Sequence, residues 1–120
     1  MITNIKITAS ADQVQLDFTF MSQQQFTYTV QVMDGAGNEV FKDIGAWDGK
    51  TNFILGNGAD LVGKYLNVYW TVLDPLGAGN PFSAAANASQ NGVKCPVAQT
   101  ISGTSTAAAV NLTTKAQFTT

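Results

Sequence analysis

Residues Phe26 to Phe41 read F-T-Y-T-V-Q-V-M-D-G-A-G-N-E-V-F. Phe26, Tyr28, Val30 and Val32 alternate with Thr27, Thr29, Gln31 and Met33. That period of two places one face of a strand in a core and the other in solvent. Asp34-Gly35-Ala36-Gly37-Asn38 then supplies turn chemistry, and Glu39-Val40-Phe41 starts a return strand. The pattern is echoed downstream. Leu66, Val68, Trp70 and Val72 alternate, Asp74 follows, and Gly77-Ala78-Gly79-Asn80 precedes Phe82. A third copy would place Thr114 where the turn Asp belongs, so these are two hairpins of similar design and not a repeat array.

Outward from these hairpins the same period recurs. Ile5 and Ile7 share one face of an opening strand over Ile2–Thr8, and Val14, Leu16, Phe18 and Phe20 share one face of Gln13–Phe20. Further strands are expected over Glu39–Ile44, Thr51–Leu55, Tyr65–Leu73 and Phe82–Ala88, with a helical turn in Ala59–Lys64 crossing between sheets. Asn87–Pro96 reads as a polar loop. Val97–Thr120 is rich in Thr, Ala and Ser and reads as one or two extra strands or as a partly ordered tail. The expectation is one all-β domain over residues 1–120, an antiparallel β-sandwich of seven to nine strands, immunoglobulin-like or jelly-roll.

Charge is sparse: 12% of residues are Asp, Glu, Lys or Arg, against about 25% in a typical soluble domain. The surface is therefore built from neutral polar groups, which suits carbohydrate binding, self-association or extracellular life. All six cations are lysines, and without arginine or a basic stripe no nucleic-acid partner is expected. The single cysteine, Cys95, excludes an internal disulfide. No leader follows Met1 and no run is long enough to span a membrane; the composition favours a secreted or cell-surface setting without fixing it.

Two segments carry a resemblance. Leu61-Val62-Gly63-Lys64-Tyr65 resembles the L-x-G-x-Y approach to a late strand in immunoglobulin-like and fibronectin type III-like domains. Val30 to Asn38, V-x-V-x-D-x-x-G-N, is similar to hairpins of bacterial immunoglobulin-like modules. Val62 stands where those domains carry Pro, and the cysteine pair is missing. The resemblance implies architecture. It also implies that the loops at Met21–Gln25, Gly45–Asn52 and Asp74–Pro81 gather at one end, with Asp34–Asn38 at the other.

The chain has no His, which removes the usual general base, zinc ligand and serine triad. Its eight acids fall mostly at turns, where Asp satisfies local N–H groups, and no phosphate-binding loop is present. No enzyme activity, cofactor or metal is expected; calcium at Asp34–Glu39 or at Asp74 with Asn80 competes poorly with plain turn chemistry. An isopeptide bond between Lys6 and Asn111 is a further option. The loop Trp47-Asp48-Gly49-Lys50-Thr51-Asn52 offers an aromatic face for sugar C–H groups and polar partners for hydroxyls. The alternative is that Trp47 folds back and plugs the sandwich, as Trp70 does from the inward phase of its strand. Trp47, Asp48, Lys50, Asn52, Asp74 and Asn80 are thus the expected ligand-binding residues of a lectin-like module. The competing expectation is a self-assembling structural module of a surface fibre, virion or secretion apparatus, with a protein partner or a homo-oligomer.

Overall fold

The computed structural model describes residues 2–75, 77, 79–96 and 98–120. Leu76 and Ala78 of the expected Asp74–Pro81 turn, Val97 at the head of the tail, and Met1 lie outside the described residues. The elements run β1 (Thr3–Lys6), β2 (Gln13–Phe20), β3 (Gln25–Met33), β4 (Glu39–Ala46), β5 (Asn52–Asn57), α1 (Gly58–Leu61), β6 (Tyr65–Leu73), β7 (Pro81–Gln90), β8 (Val93–Lys94), β9 (Gln99–Thr104) and β10 (Ala109–Thr119). They form two packed sheets, an all-β sandwich compatible with an immunoglobulin-like arrangement. One sheet has the order β1-β10-β6-β3-β4; the other is β5-β2-β7, with β8 and β9 both on the far edge of β7. Every pairing is antiparallel except β1 with β10, where Thr3 lies opposite Ala116 and Lys6 opposite Thr119.

The alternation in the sequence decides this packing. Phe26, Tyr28, Val30 and Val32 from β3 meet Leu66, Val68, Trp70 and Val72 from β6 on the inner face, all at most 2% exposed. Burying each such side chain contributes roughly 1.5–3 kcal/mol. Val14, Leu16 and Phe18 from β2 and Phe53 from β5 close the core from the opposite sheet. Under one end, Phe18 stacks on Tyr28 with ring centroids 3.8 Å apart, and Trp70 meets both edge-on.

Ten strands stand among the described residues where seven to nine were expected. The surplus comes from the stretch read as a polar loop. β7 continues through Gln90 and pairs with β8, because Ala84, Ala86 and Ala88 pack inward while Asn87 and Ser89 face out. Gln90 is buried but fully used. Its Nε2 donates to the Thr8 and Asp12 carbonyls, and its Oε1 accepts from the Thr8 N–H at 2.7 Å. Residues 99–104 and 109–119, which could also be read as a tail, are strands β9 and β10.

The backbone of β10 has a definite polarity. Phe118 N–H donates to Lys64 O, beside β6, whereas Thr119 O accepts from Ile7 N–H, beside β1. The β10–β6 register is unbroken from Ala109 to Gln117, so even-numbered residues bond to β6 and odd-numbered residues face the other way. β1 begins only opposite Ala116. Asn111 and Thr113 therefore present N–H and C=O groups to an edge that no described strand covers, whereas the Lys115 C=O faces the start of β1 at Thr3. Hydrogen exchange of the free protein should alternate accordingly: slow at residues 112, 114 and 116, fast at 111 and 113.

The outer edge of β4 is differently made. Trp47 N–H bonds to Phe26 O, so the odd-numbered residues of β4 serve β3 and the even-numbered ones face out. There the Ile44 N–H is taken by the Asp43 carboxylate at 2.8 Å, Lys42 stands mid-strand, and the β3–β4 register shifts at Val32/Met33. A capped donor, a lysine and a bulge are devices that discourage strand addition.

Candidate functional site

The loops at Met21–Gln25, Gly45–Asn52 and Asp74–Pro81 lie at one end. Gln25 pairs with Leu73, and Trp47 bonds beside Phe26. The Asp34–Asn38 turn sits at the other end, where Met33 lies opposite Tyr65. There Asp34 accepts from the Asn38 N–H, from Asn38 Nδ2 and from the Ala36 N–H, which holds its carboxyl below the ordinary range. That network is turn chemistry and leaves no ligand set; no group of three or more metal-ligating side chains occurs among the described residues.

The Trp47 turn is built over a glycine. β4 runs two residues further than the sequence suggested, so Gly45 and Ala46 are strand and Trp47-Asp48-Gly49 is the turn proper. Gly45 is buried. A Cβ there would run into the Tyr28 ring, the Lys50 carbonyl and the Phe53 ring. The Tyr28 hydroxyl crosses that space and donates to Lys50 O at 2.7 Å, and burial pushes its pKa up. Ala46 N–H also donates to Lys50 O, and Gly49 N–H to Ala46 O, which closes the turn. Trp47 does not plug the sandwich: its backbone N–H is held at 2.8 Å by Phe26 O while 45% of the residue stays exposed.

Around it, Asp48 is exposed. Lys50 Nζ pairs with Asp43 at 2.5 Å and lies 5.0 Å from the Phe53 ring centroid. Asn52 Nδ2 donates to Asp17 Oδ1 across the β2–β5 pair. The Lys50 ammonium and then the Ile44 N–H lower the Asp43 carboxyl below its ordinary 3.8. A depressed carboxyl contributes stability above its unfolded value and loses it as pH falls through the folded one. The Asp43 signal should therefore titrate below 3.8 by NMR, and Lys50→Met should move the midpoint back towards that value.

Asp74 and Asn80 occupy the β6–β7 turn with different surroundings. Asp74 is 2% exposed; its Oδ2 accepts from Ser105 Oγ at 2.6 Å and from Asn80 Nδ2 at 3.0 Å. Asp74 N–H donates to Ala108 O and Ser105 N–H to Asn80 O, and together with the carboxylate's bond from Ser105 Oγ these tie the β6–β7 turn to the β9–β10 connection. Between this turn and the β2–β3 loop lies a cleft of ≈ 540 Å³ lined by Met21, Ser22, Gln23, Gln24, Asp74, Pro75, Asn80 and Pro81. Gln24 Oε1 is buried there and has no partner among the described residues. The two expected groups of site residues are thus set apart: Asp74 and Asn80 line the cleft, and Trp47, Asp48, Lys50 and Asn52 do not.

Gln24 was missed by sequence reasoning, and nothing in Ser22-Gln23-Gln24-Gln25 marks one glutamine as inward-turned. The isopeptide option fails on register: Lys6 lies opposite Thr119, eight positions along β10 from Asn111, or about 26 Å at strand spacing. No helix among the described residues is long and apolar enough to cross a membrane. No protein-family model matches the chain, and no curated protein or solved structure matches it.

Proposed function

We propose that the protein is a non-catalytic carbohydrate-binding module of the immunoglobulin-like kind, with its ligand at the end formed by the β2–β3, β4–β5 and β6–β7 loops. The observation that carries this reading is a cleft holding a buried acceptor, Gln24 Oε1, with no partner among the described residues, at the same end as an exposed, backbone-anchored Trp47. A sugar hydroxyl is a donor of the right size for Gln24 Oε1, and a pyranose C–H face stacks on an indole. Asp48 is the free polar neighbour of that indole; Lys50 and Asn52 already have partners and would orient the turn. The immunoglobulin-like reading is supported by the β1-β10-β6-β3-β4 order, the parallel β1–β10 pair, and the Leu61–Tyr65 corner that leads into β6.

Native protein on a glycan array should select a small set of neutral glycans. Trp47→Ala should abolish that binding and change the unfolding free energy by less than about 1 kcal/mol, as for most exposed positions. Failure of the native protein to bind any glycan would overturn the reading.

A second reading, an assembly module, is favoured by Val40 and Ile44, which are 50% and 66% exposed on β4. Sedimentation velocity would then show oligomers that Ile44→Lys disperses, and a strict monomer would count against it.

A further inference from the structure

We propose that the outer edge of β4 is a self-association surface, where a second copy of the chain pairs strand to strand and the Asp43 carboxylate holds the edge closed. Such a contact is made by the backbone and differs from assembly through the exposed Val40 and Ile44 side chains alone.

The polar groups of this edge are few. β4 ends the order β1-β10-β6-β3-β4, and no described strand lies beyond it. Between Phe41 and Trp47 the even-numbered residues turn their N–H and C=O groups outward. Ala46 N–H is already given to Lys50 O. Lys42 and Ile44 remain, and the Ile44 N–H is taken by Asp43 Oδ1 at 2.8 Å.

The register follows from these groups. An antiparallel second copy is related by a twofold axis, so even residues pair with even ones and one residue meets itself. Centred on Lys42, the pairing sets two lysines opposite each other, and like charges so placed repel. Centred on Ile44, it sets Lys42 opposite Ala46, whose N–H is occupied. Centred on Asp43, it sets Lys42 of each copy opposite Ile44 of the other, and each pair exchanges both of its N–H···O bonds. The lysine stem then lies along Ile44, which is 66% exposed in the single chain.

That register also accounts for the closure. It brings the two Asp43 residues opposite each other in a close, non-hydrogen-bonded pair, about 4.5 Å between Cα atoms. As carboxylates they repel. Half of the bonds between the copies need the Ile44 N–H, which the carboxylate occupies. Protonation ends the repulsion and weakens the hold on that N–H. The groups around Asp43 oppose protonation. Lys50, from the turn after β4, pairs with it at 2.5 Å. The Tyr28 hydroxyl of β3 is turned to the Lys50 carbonyl, and Phe53 of β5 is uncharged. On β4 itself, Glu39 accepts from Gln31, and Lys42 stands on the opposite face of the sheet from Asp43. The edge therefore opens in acid, or when Asp43 is replaced.

Sedimentation velocity and backbone amide exchange by NMR test this together. At neutral pH the Lys42 amide of native protein should exchange fast. As pH falls through the Asp43 titration, below 3.8, dimers should form in which the Lys42 and Ile44 amides are protected. Lys50→Met should move the onset to higher pH. Asp43→Asn keeps an acceptor for the Ile44 N–H and should stay closed in acid, which separates the cap from general effects of protonation. Asp43→Ala, at a side chain 37% exposed, should self-associate at neutral pH at least about tenfold more tightly than native, the scale of two regained hydrogen bonds. An Asp43→Ala protein as monomeric as native, dimers without protection at Lys42 and Ile44, or Asp43→Asn associating in acid as native does would each overturn the proposal.

Discussion

Asp74→Leu is expected to lower the unfolding free energy by about 3 kcal/mol or more, the scale for breaking a buried hydrogen-bonded charge. The carboxylate is 2% exposed and gathers Ser105 Oγ and Asn80 Nδ2. Replacing it removes the carboxylate acceptor from both and leaves Asn80 Nδ2 only Gly77 O and Ser105 Oγ only Asn80 O. It also removes the side-chain tie from the β6–β7 turn to Ser105, leaving the backbone bonds from Asp74 N–H to Ala108 O and from Ser105 N–H to Asn80 O to hold the β9–β10 connection. Urea unfolding gives the measurement. Ser105→Ala, which removes one donor and leaves the carboxylate, should cost about 1 kcal/mol. If Asp74→Leu costs less than Ser105→Ala, the network is not what holds this end together. The comparison also separates two roles for Asp74: an acid that serves only a ligand would leave stability unchanged when replaced.

Gly45→Ala is expected to cost about 2–4 kcal/mol, at the upper end for overpacking. The added methyl must displace the Tyr28 ring, the Phe53 ring or the Lys50 carbonyl, and the two rings, packed edge-on, belong to the aromatic core. The Tyr28 hydroxyl would be parted from Lys50 O, and the Trp47 turn would move with it. Gly49→Ala is the control, because its Cβ would come no nearer than 3.8 Å to any atom outside its neighbours. It should change stability by less than about 1 kcal/mol. Equal losses for the two would show that the crossing at Gly45 is slack.

Strand periodicity made the two sheets legible. The inward sets of β2, β3 and β6 are large and apolar, so alternation alone placed Val14, Leu16, Phe26, Tyr28, Val68 and Trp70 in the core. The outer half of β7 was hidden because its inward side chains are alanines, whose contrast with Asn87 and Ser89 is weak. For β10 the signal was thinner still: only Ala116 and Phe118 are fully buried, and Val110, Leu112 and Thr114 are half-covered. Of the candidate site, the Gly-rich flanks of Trp47 marked a turn but left the indole free to stack outward or to plug the sandwich, and the structure leaves it 45% exposed. The roles of Asp74 and Gln24 were not readable, since burial of a polar group depends on partners far away in sequence, as with Ser105.

The parallel pairing of β1 with β10 sets how the fold bears load. A pull applied between Thr3 and Thr119 acts on opposite ends of two strands that run the same way, with four register pairs between them. The tension therefore shears all the β1–β10 hydrogen bonds together instead of unzipping them one at a time. Beyond them, β10 is pinned to β6 along nine consecutive pairs. Single-molecule extension from those two points should show one abrupt high-force rupture followed by release of the remaining chain. Pulling from Thr3 against a point on β4 should yield the same fold at lower force.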